Sequence, residues 1–231
     1  MDEGVNHRDG RTERWRQHRL TRRKEFVDAA FRALDRHGPE VAMADIAREA
    51  GVAKPRLYRH FTDKADLFVA VAEHASELVW ERLRPALSEP APVRDRVRQC
   101  VQAYFAAVAE HPNVFRMVGD RRFLAANRPD PVAVGNTAMA GLIAAVFDQY
   151  LRAHDARSTG TLPWAHGLVG SVEAATRWWL VDGTLDRETI VEHVSVLVWG
   201  AMEAVLSSAG VLVDPEQPLD LDLDLDALPR L

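Results

Sequence analysis

Apolar residues recur along most of this chain at intervals of three and four, with glycines and prolines between the periodic stretches. No alternating β-branched run stands out, so the pattern predicts an all-α protein of about nine helices. The first covers about 12–37, with Phe26, Ala30, Ala33 and Leu34 on one face, and stops at Gly38-Pro39. A short helix at about 43–50 turns Ile46, Ala47 and Ala50 inward and ends at Gly51. A third, about 54–60, tolerates Pro55 because first-turn amides have no helical partner. Thr62 is placed to cap a long helix reaching about 87.

Beyond the break "SEPAP" at 88–92, Val93, Val97, Cys100, Val101, Tyr104, Phe105 and Val108 share a helical stripe up to "EHP". A shorter helix holds Val114, Phe115 and Val118, and "NRPDP" at 127–131 reads as a loop. Three more helices follow, at about 132–154, 164–181 and 186–209. No apolar run approaches the roughly 20 residues that cross a bilayer. The first nineteen residues have no apolar core of the secretory type, so the expected location is cytoplasmic.

Charge changes the picture. The formal total is −5, but residues 1–64 hold 15 Lys+Arg against 11 Asp+Glu, and the remainder 14 against 23. A basic head on an acidic body orients a protein on a polyanion. Residues 8–24 alone carry Arg8, Arg11, Arg14, Arg16, Arg19, Arg22, Arg23 and Lys24 against Asp9 and Glu13. This leader either follows a DNA backbone or minor groove, or is simply solvated.

The stretch "AGVAKPRLYRHFTDKADLF" joins two short helices by a tight glycine turn, which is a helix-turn-helix. The second helix is sized for the major groove, with its first residues against base edges. Leu57 and Phe61 form an apolar underside with Val52 and Ile46, while Lys54 and Arg56 point outward. An arginine meets guanine O6 and N7 in a bidentate manner. Tyr58, His60 and Lys64 are placed to hold phosphates.

The segment "MADIAREAGVAKPRLYRHFTDKADLFVAV" at 43–71 resembles the DNA-binding region of TetR-family transcriptional regulators, in its glycine, its "LYRHF" and its "DKADLF". The resemblance covers roughly residues 20–72. It implies an all-α homodimer with a three-helix DNA-binding head and a variable ligand-binding body. It also implies sequence-reading roles for Lys54, Pro55 and Arg56, and phosphate roles for Tyr58, His60 and Lys64. Two positions depart from the pattern: Ala42 and Ala53 stand where a capping threonine or serine is usual, each at a cost of about 0.5–2 kcal/mol. The expected division is a flexible basic arm at 1–18, the DNA-binding head at 19–64, a ligand-binding and dimerisation domain at 65–213, and an acidic tail at 214–231.

In the body, the last helix is apolar around most of its girth: Ile190, Val194, Leu197, Val198, Ala201 and Val205 on one side, Val196 and Trp199 elsewhere. The helix before it carries Gly167, Gly170, Ser171 and Ala174, which admit a close neighbour. The two are expected to pair with their copies in a four-helix dimer contact, with monomer core as the other reading. Candidate walls of a ligand pocket are Tyr104, Phe105, Val108, Phe115, Phe123, Met139, Ile143, Phe147 and Trp164, each of which taken singly reads as core before ligand contact. His166, Glu173 and Arg177 share a stripe that would orient a polar head group, or Glu173 and Arg177 form a surface pair. Such a wall suits an apolar or amphipathic effector, a fatty acid or acyl ester.

Other chemistry finds little support. There is no G-x-S-x-G, phosphate loop, H-E-x-x-H or dinucleotide fingerprint, so an enzyme is not expected, nor a cofactor or metal. Cys100 is the only cysteine and reads as a small buried apolar residue. "DLDLDLD" at 220–226 lacks the glycine and late glutamate of a calcium loop. The expected function is a ligand-released transcriptional repressor on a palindromic operator; the alternative is a constitutive DNA binder, or an activator without a small-molecule effector.

Overall fold

The computed structural model describes residues 6–120 and 130–217, with side chains from residue 15 onward. These form nine helices and no strand: α1 (Asn6–His37), α2 (Met43–Glu49), α3 (Lys54–Leu57), α4 (Lys64–Ser88), α5 (Val93–Glu110), α6 (Pro112–Asp120), α7 (Pro131–Ala153), α8 (Thr161–Asp182) and α9 (Arg187–Ser208). Phe123, the "NRPDP" loop as far as residue 129, and most of the acidic tail lie outside the described residues.

The head is built on one apolar cluster. Phe26, Ala30, Ala33 and Leu34 of α1 meet Ile46 and Ala47 of α2, Leu57 of α3 and Phe61, all fully or nearly fully buried. The turn between α2 and α3 closes with Gly51 N–H on the Arg48 carbonyl (3.1 Å) and Val52 N–H on the Ala47 carbonyl (3.0 Å). Gly51 has φ +65°, a left-handed conformation that glycine adopts without strain; a Cβ there would meet nothing, so the demand is conformational.

Two expectations change here. The third helix is four residues, not seven, because the His60 and Phe61 amides both donate to the Leu57 carbonyl (2.9 and 3.0 Å) and turn the chain so that Phe61 enters the core. The cap of α4 is Asp63, not Thr62: its carboxylate accepts from the Asp66 amide at 2.7 Å. Thr62 instead donates its amide to the Asp66 carboxylate at 2.8 Å, so a carboxylate two places inside the helix ties down the approach to it. The missing cap at Ala42 is partly offset, since Asp45 reaches back to accept the Ala42 amide at 3.3 Å. At the other end α1 begins at Asn6, earlier than residue 12, because the arginine-rich leader favours helix even without apolar periodicity.

The body holds a second apolar cluster, formed by Val101 and Phe105 of α5, Phe147 and Leu151 of α7, Leu168 of α8, and Ile190, Val191, Val194 and Val198 of α9. α7 and α8 approach closely through Ala140, Ala144 and Ala165. The nine-residue α6 belongs to the head's cluster through Val114, Met117 and Val118. Arg116 on its other side donates twice to the Leu180 carbonyl of α8, at 2.9 and 2.7 Å. Its guanidinium therefore anchors a helix end. Beyond α9, Val211 is buried, and the segment returns over the start of α5: the Val93 amide donates to the Gln217 carbonyl (3.2 Å) and the Arg94 amide to that of Pro215 (3.5 Å).

α7 and α9 are long and apolar enough, by length and composition, to cross a bilayer, although neither is an unbroken apolar run. In this fold their apolar girth is divided between the bundle interior and an exposed face. Leu197 lies on that face beside Val196, not in the core stripe expected for it.

Restoring the missing hydroxyl tests the cap argument. Ala42→Ser adds the second half of the capping box and should raise the unfolding free energy by about 1 kcal/mol, read from the urea midpoint at constant m-value.

Candidate nucleic-acid interface and ligand cavity

The α3 surface sorts its residues by side. Leu57 and Phe61 are buried, while Lys54, Pro55, Arg56, Tyr58 and Arg59 are exposed. The Lys54 ammonium lies 5.9 Å from the centre of the Tyr58 ring, and the Lys64 ammonium 4.9 Å from that of Phe68. His60 and Lys64 are half-buried. The His60 ring stands edge-on to Phe26 at 5.1 Å, with its Nδ1 buried and without a hydrogen-bond partner.

Arg23 holds this surface to α1. Its guanidinium donates to the His60 carbonyl at 2.8 Å and to the Asp66 carboxylate at 3.1 Å, and stacks 4.2 Å from the centre of the Phe61 ring. The sequence grouped Arg23 with the leader's cations, but it faces inward and ties α1 to the end of α3 and the start of α4. Burial opposes the charge on Asp66, yet the Thr62 amide and the Arg23 guanidinium outweigh it and hold the carboxyl below its ordinary value. His60 is shifted below its ordinary value, first by burial and then by the positive field of Arg19, Arg56, Arg22 and Arg23. That field comes from both α1 and α3, so the cationic surface extends beyond the helix-turn-helix itself.

A cavity of about 290 Å³ lies within the body, lined by α4 through α9. It follows α4 from Ala75 to Leu87, a span of about 18 Å at the helical rise per residue. Its volume sits at the lower end of the roughly 300–1,000 Å³ of small-molecule sites. The wall is almost wholly apolar, with two polar groupings. Near the head, Asn136 donates to one Glu173 oxygen at 2.8 Å and Arg177 to the other at 2.9 Å. Near the far end, Arg96 donates to the Leu87 and Glu89 carbonyls at 2.9 and 3.0 Å, covering the end of α4.

Of the sequence candidates, Tyr104, Phe115, Met139, Ile143, Glu173 and Arg177 lie on this wall. Phe105, Val108 and Phe147 do not: each is completely buried against neighbouring helices. Trp164 is half-buried, edge-on to Phe147 at 6.1 Å and crowded against Gly160, where an added Cβ would come within 2.6 Å of its ring. His166 is exposed. Residues that periodicity did not single out include Trp80, Arg96, Asn136 and Thr176. Asn136, set with Thr137 in an otherwise apolar stretch of α7, was the available signal. Cys100 also lies on the wall, and burial raises its thiol to about 11. The Tyr104 hydroxyl is raised by burial and by the Glu173 charge, against the Thr176 hydrogen bond.

On the outer side of α8 and α9, Leu162, Trp178, Val181, Val196 and Leu197 are exposed, with Val181 85% exposed. Gly167, Gly170 and Gly200 lie open as well, with nothing within 4 Å of an added Cβ. Among the described residues, no three His, Cys, Asp or Glu side chains gather to hold a metal ion.

Residues 82–212 match the family profile of the tetracyclin repressor-like C-terminal domain, and residues 26–71 that of the bacterial regulatory proteins of the tetR family. The chain belongs to the TetR family of transcriptional regulators. A helix-turn-helix transcriptional regulator of Mycobacterium tuberculosis is 31% identical over 205 residues, covering 88% of this chain and 87% of that one. The transcriptional activator FasR of Mycolicibacterium smegmatis is 30% identical over 201 residues, covering 84% and 85%. Among solved structures, a tetR-family regulator from Streptomyces coelicolor superposes with a TM-score of 0.63 at 21% identity, covering 82% of this chain and 83% of that one. FadR from Bacillus subtilis, in complex with stearoyl-CoA, superposes with 0.60 at 16% identity, covering 76% and 96%. This TetR-family chain is thus a DNA-binding transcriptional regulator with a helix-turn-helix head on a helical body.

His60 and Asp66 give the head a defined acid response, opposed at low pH by Glu73 of α4, whose carboxyl is raised by burial. Both folded values lie below the unfolded ones, so the unfolded chain binds protons first and stability falls on acidification. The loss should begin below the ordinary imidazole value of 6.5 for His60 and below the ordinary carboxylate value of 3.8 for Asp66. Urea unfolding across pH should show both stages, with His60→Gln removing the upper one and Asp66→Asn the lower.

Proposed function

We propose that this regulator is a cytoplasmic homodimer that represses from a palindromic operator and is released by an apolar or amphipathic small molecule, a fatty acid or acyl ester. Lys54, Pro55 and Arg56 read base edges, and Tyr58, His60 and Lys64 take phosphates, helped by the arginines of α1. The observation that carries the reading is a shared helix. Phe115, Val118 and Gly119 of α6 line the cavity, while Val114, Met117 and Val118 pack into the head. A ligand that fills the cavity shifts α6 and the neighbouring α4, and with them the angle of the reading helix.

Dimerisation through α8 and α9 is supported by their exposed apolar side chains and open glycines, a self-complementary patch of the kind a twofold contact needs. Two heads then meet half-sites about 34–36 Å apart, or a multiple of that spacing. Ligand binding favours a head spacing that fits the operator poorly, and it regulates only as far as the two states differ in ligand affinity. The apolar wall supports the effector class, as does the stearoyl-CoA held by the Bacillus subtilis FadR of the same fold. The functional division then follows the arm at 1–18, the head at 19–64, the sensing and dimer domain at 65–213 and the tail at 214–231.

A second reading has one observation in its favour: FasR, 30% identical, is named an activator. On that reading the same dimer recruits transcription when seated, so release by ligand lowers transcription instead of raising it.

Native mass spectrometry of the purified protein, followed by footprinting on its own upstream region, tests the proposal. A dimer carrying an acyl chain and a palindromic footprint lost on adding acyl-CoA is the expected result; a monomer, or a footprint indifferent to every acyl compound, overturns it. Arg56→Ala should cost about 1–3 kcal/mol of operator binding and relax specificity at one base pair. Deletion of residues 1–16 should flatten the dependence of affinity on salt, and an unchanged slope removes the leader from the interface.

A further inference from the structure

Past the far end of the cavity lies a second, smaller chamber that shares part of its wall. Val93, Val146 and Met202, from α5, α7 and α9, line both spaces. The second is only about 10 Å³, scarcely room for one water, and is walled by Phe147, Tyr150, Trp199, Leu206 and Val213, with Glu203 at its edge. The segment after α9 closes its outer side. Val213 belongs to its wall, and the Gln217 and Pro215 carbonyls accept from the amides of Val93 and Arg94. Asp214 lies close enough to Tyr150 to add to the upward shift that burial gives its hydroxyl.

The three shared residues differ in freedom. Valine is β-branched and stiff at χ1, whereas methionine is unbranched with several soft torsions. Met202 is half-buried, and its displacement would join the two spaces into one longer tunnel. The polar groups set the direction. Arg96 is engaged with carbonyls at the end of α4, while Arg177, its side chain half exposed, reaches solvent beside the head-proximal grouping. A polar head group therefore belongs beside Asn136, Glu173 and Arg177, and the apolar tail points at Met202.

We propose that Met202 is a specificity-determining residue that sets the length of acyl chain the regulator accepts. Shorter chains end before it, and longer chains turn it aside and enter the chamber beneath the returning segment. The inference rests on the acyl-ligand reading above, and the test separates the two.

Affinities of laurate, palmitate and arachidate, each free and as the coenzyme A thioester, are measured by calorimetry on the full-length protein and on three variants. Met202→Ala opens the passage and should raise the ratio of arachidate to laurate affinity roughly tenfold, the worth of one or two extra buried methylenes. Met202→Phe narrows it and should lower that ratio by a similar factor, while Met202→Leu, close in volume, should keep the wild-type ratio. Unfolding midpoints identify any variant that has lost its fold, and the remaining ones then decide. Ratios within twofold of wild type in both the Ala and Phe variants overturn the length-setting role while leaving the acyl reading intact. Failure of the wild-type protein to bind any of the six compounds overturns both.

Discussion

The head's apolar core and the wall of the cavity share one short helix, and its double membership is the constraint on which the rest depends. Val114 and Met117 lock α6 into the cluster that seats the reading helix, and Phe115 and Gly119 face the cavity. Val118 belongs to both. Interiors packed to crystal-like density do not absorb displacement; they pass it on. A nine-residue rod with one side in the head's core and the other on the cavity wall cannot change its seat in one without disturbing the other. α4 adds a second, longer link, its first turns in the head and its last beside the cavity.

The stiffness of the head makes that link useful. Arg23 bonds one carbonyl and one carboxylate and lies over an aromatic face, so α1, the reading helix and the start of α4 turn together. Arginine suits the position because its planar fork serves several partners at once, where an ammonium would act as a point charge. The same residue adds to the positive field that, after burial, lowers the neighbouring imidazole below its ordinary value. A cation spent on architecture thus still contributes to the potential a polyanion meets.

Much of this was legible in the chain. Leu57 and Phe61 alternate with Lys54, Arg56 and Tyr58 in a way that only a seated cationic helix explains, and the glycine turn fixes its register. The helix order followed from apolar periodicity and from the glycines and prolines between. What could not be read was which inward residues face a void. Phe105 follows Tyr104 and Phe147 lies one turn beyond Ile143, yet Phe105 and Phe147 stay off the main cavity while Tyr104 and Ile143 face it. Periodicity reports that a side chain points inward and is silent on whether anything stands opposite. The same limit hid Leu197, since an apolar residue that waits for a partner looks like one already covered. Asp63 was missed for a different reason: two capping residues stand in succession, and the choice between them rests on a carboxylate at Asp66.

One contact of α6 reaches outward as well. Arg116 grips the main-chain carbonyl of Leu180, which stands between the exposed Trp178 and Val181. In the proposed dimer that stretch of α8 is pressed by the other subunit, so each sensor takes part of its mechanical reference from its twin. Cooperativity between the two sites would then need no contact between ligands: it would be written into a peptide oxygen that both protomers help to hold still.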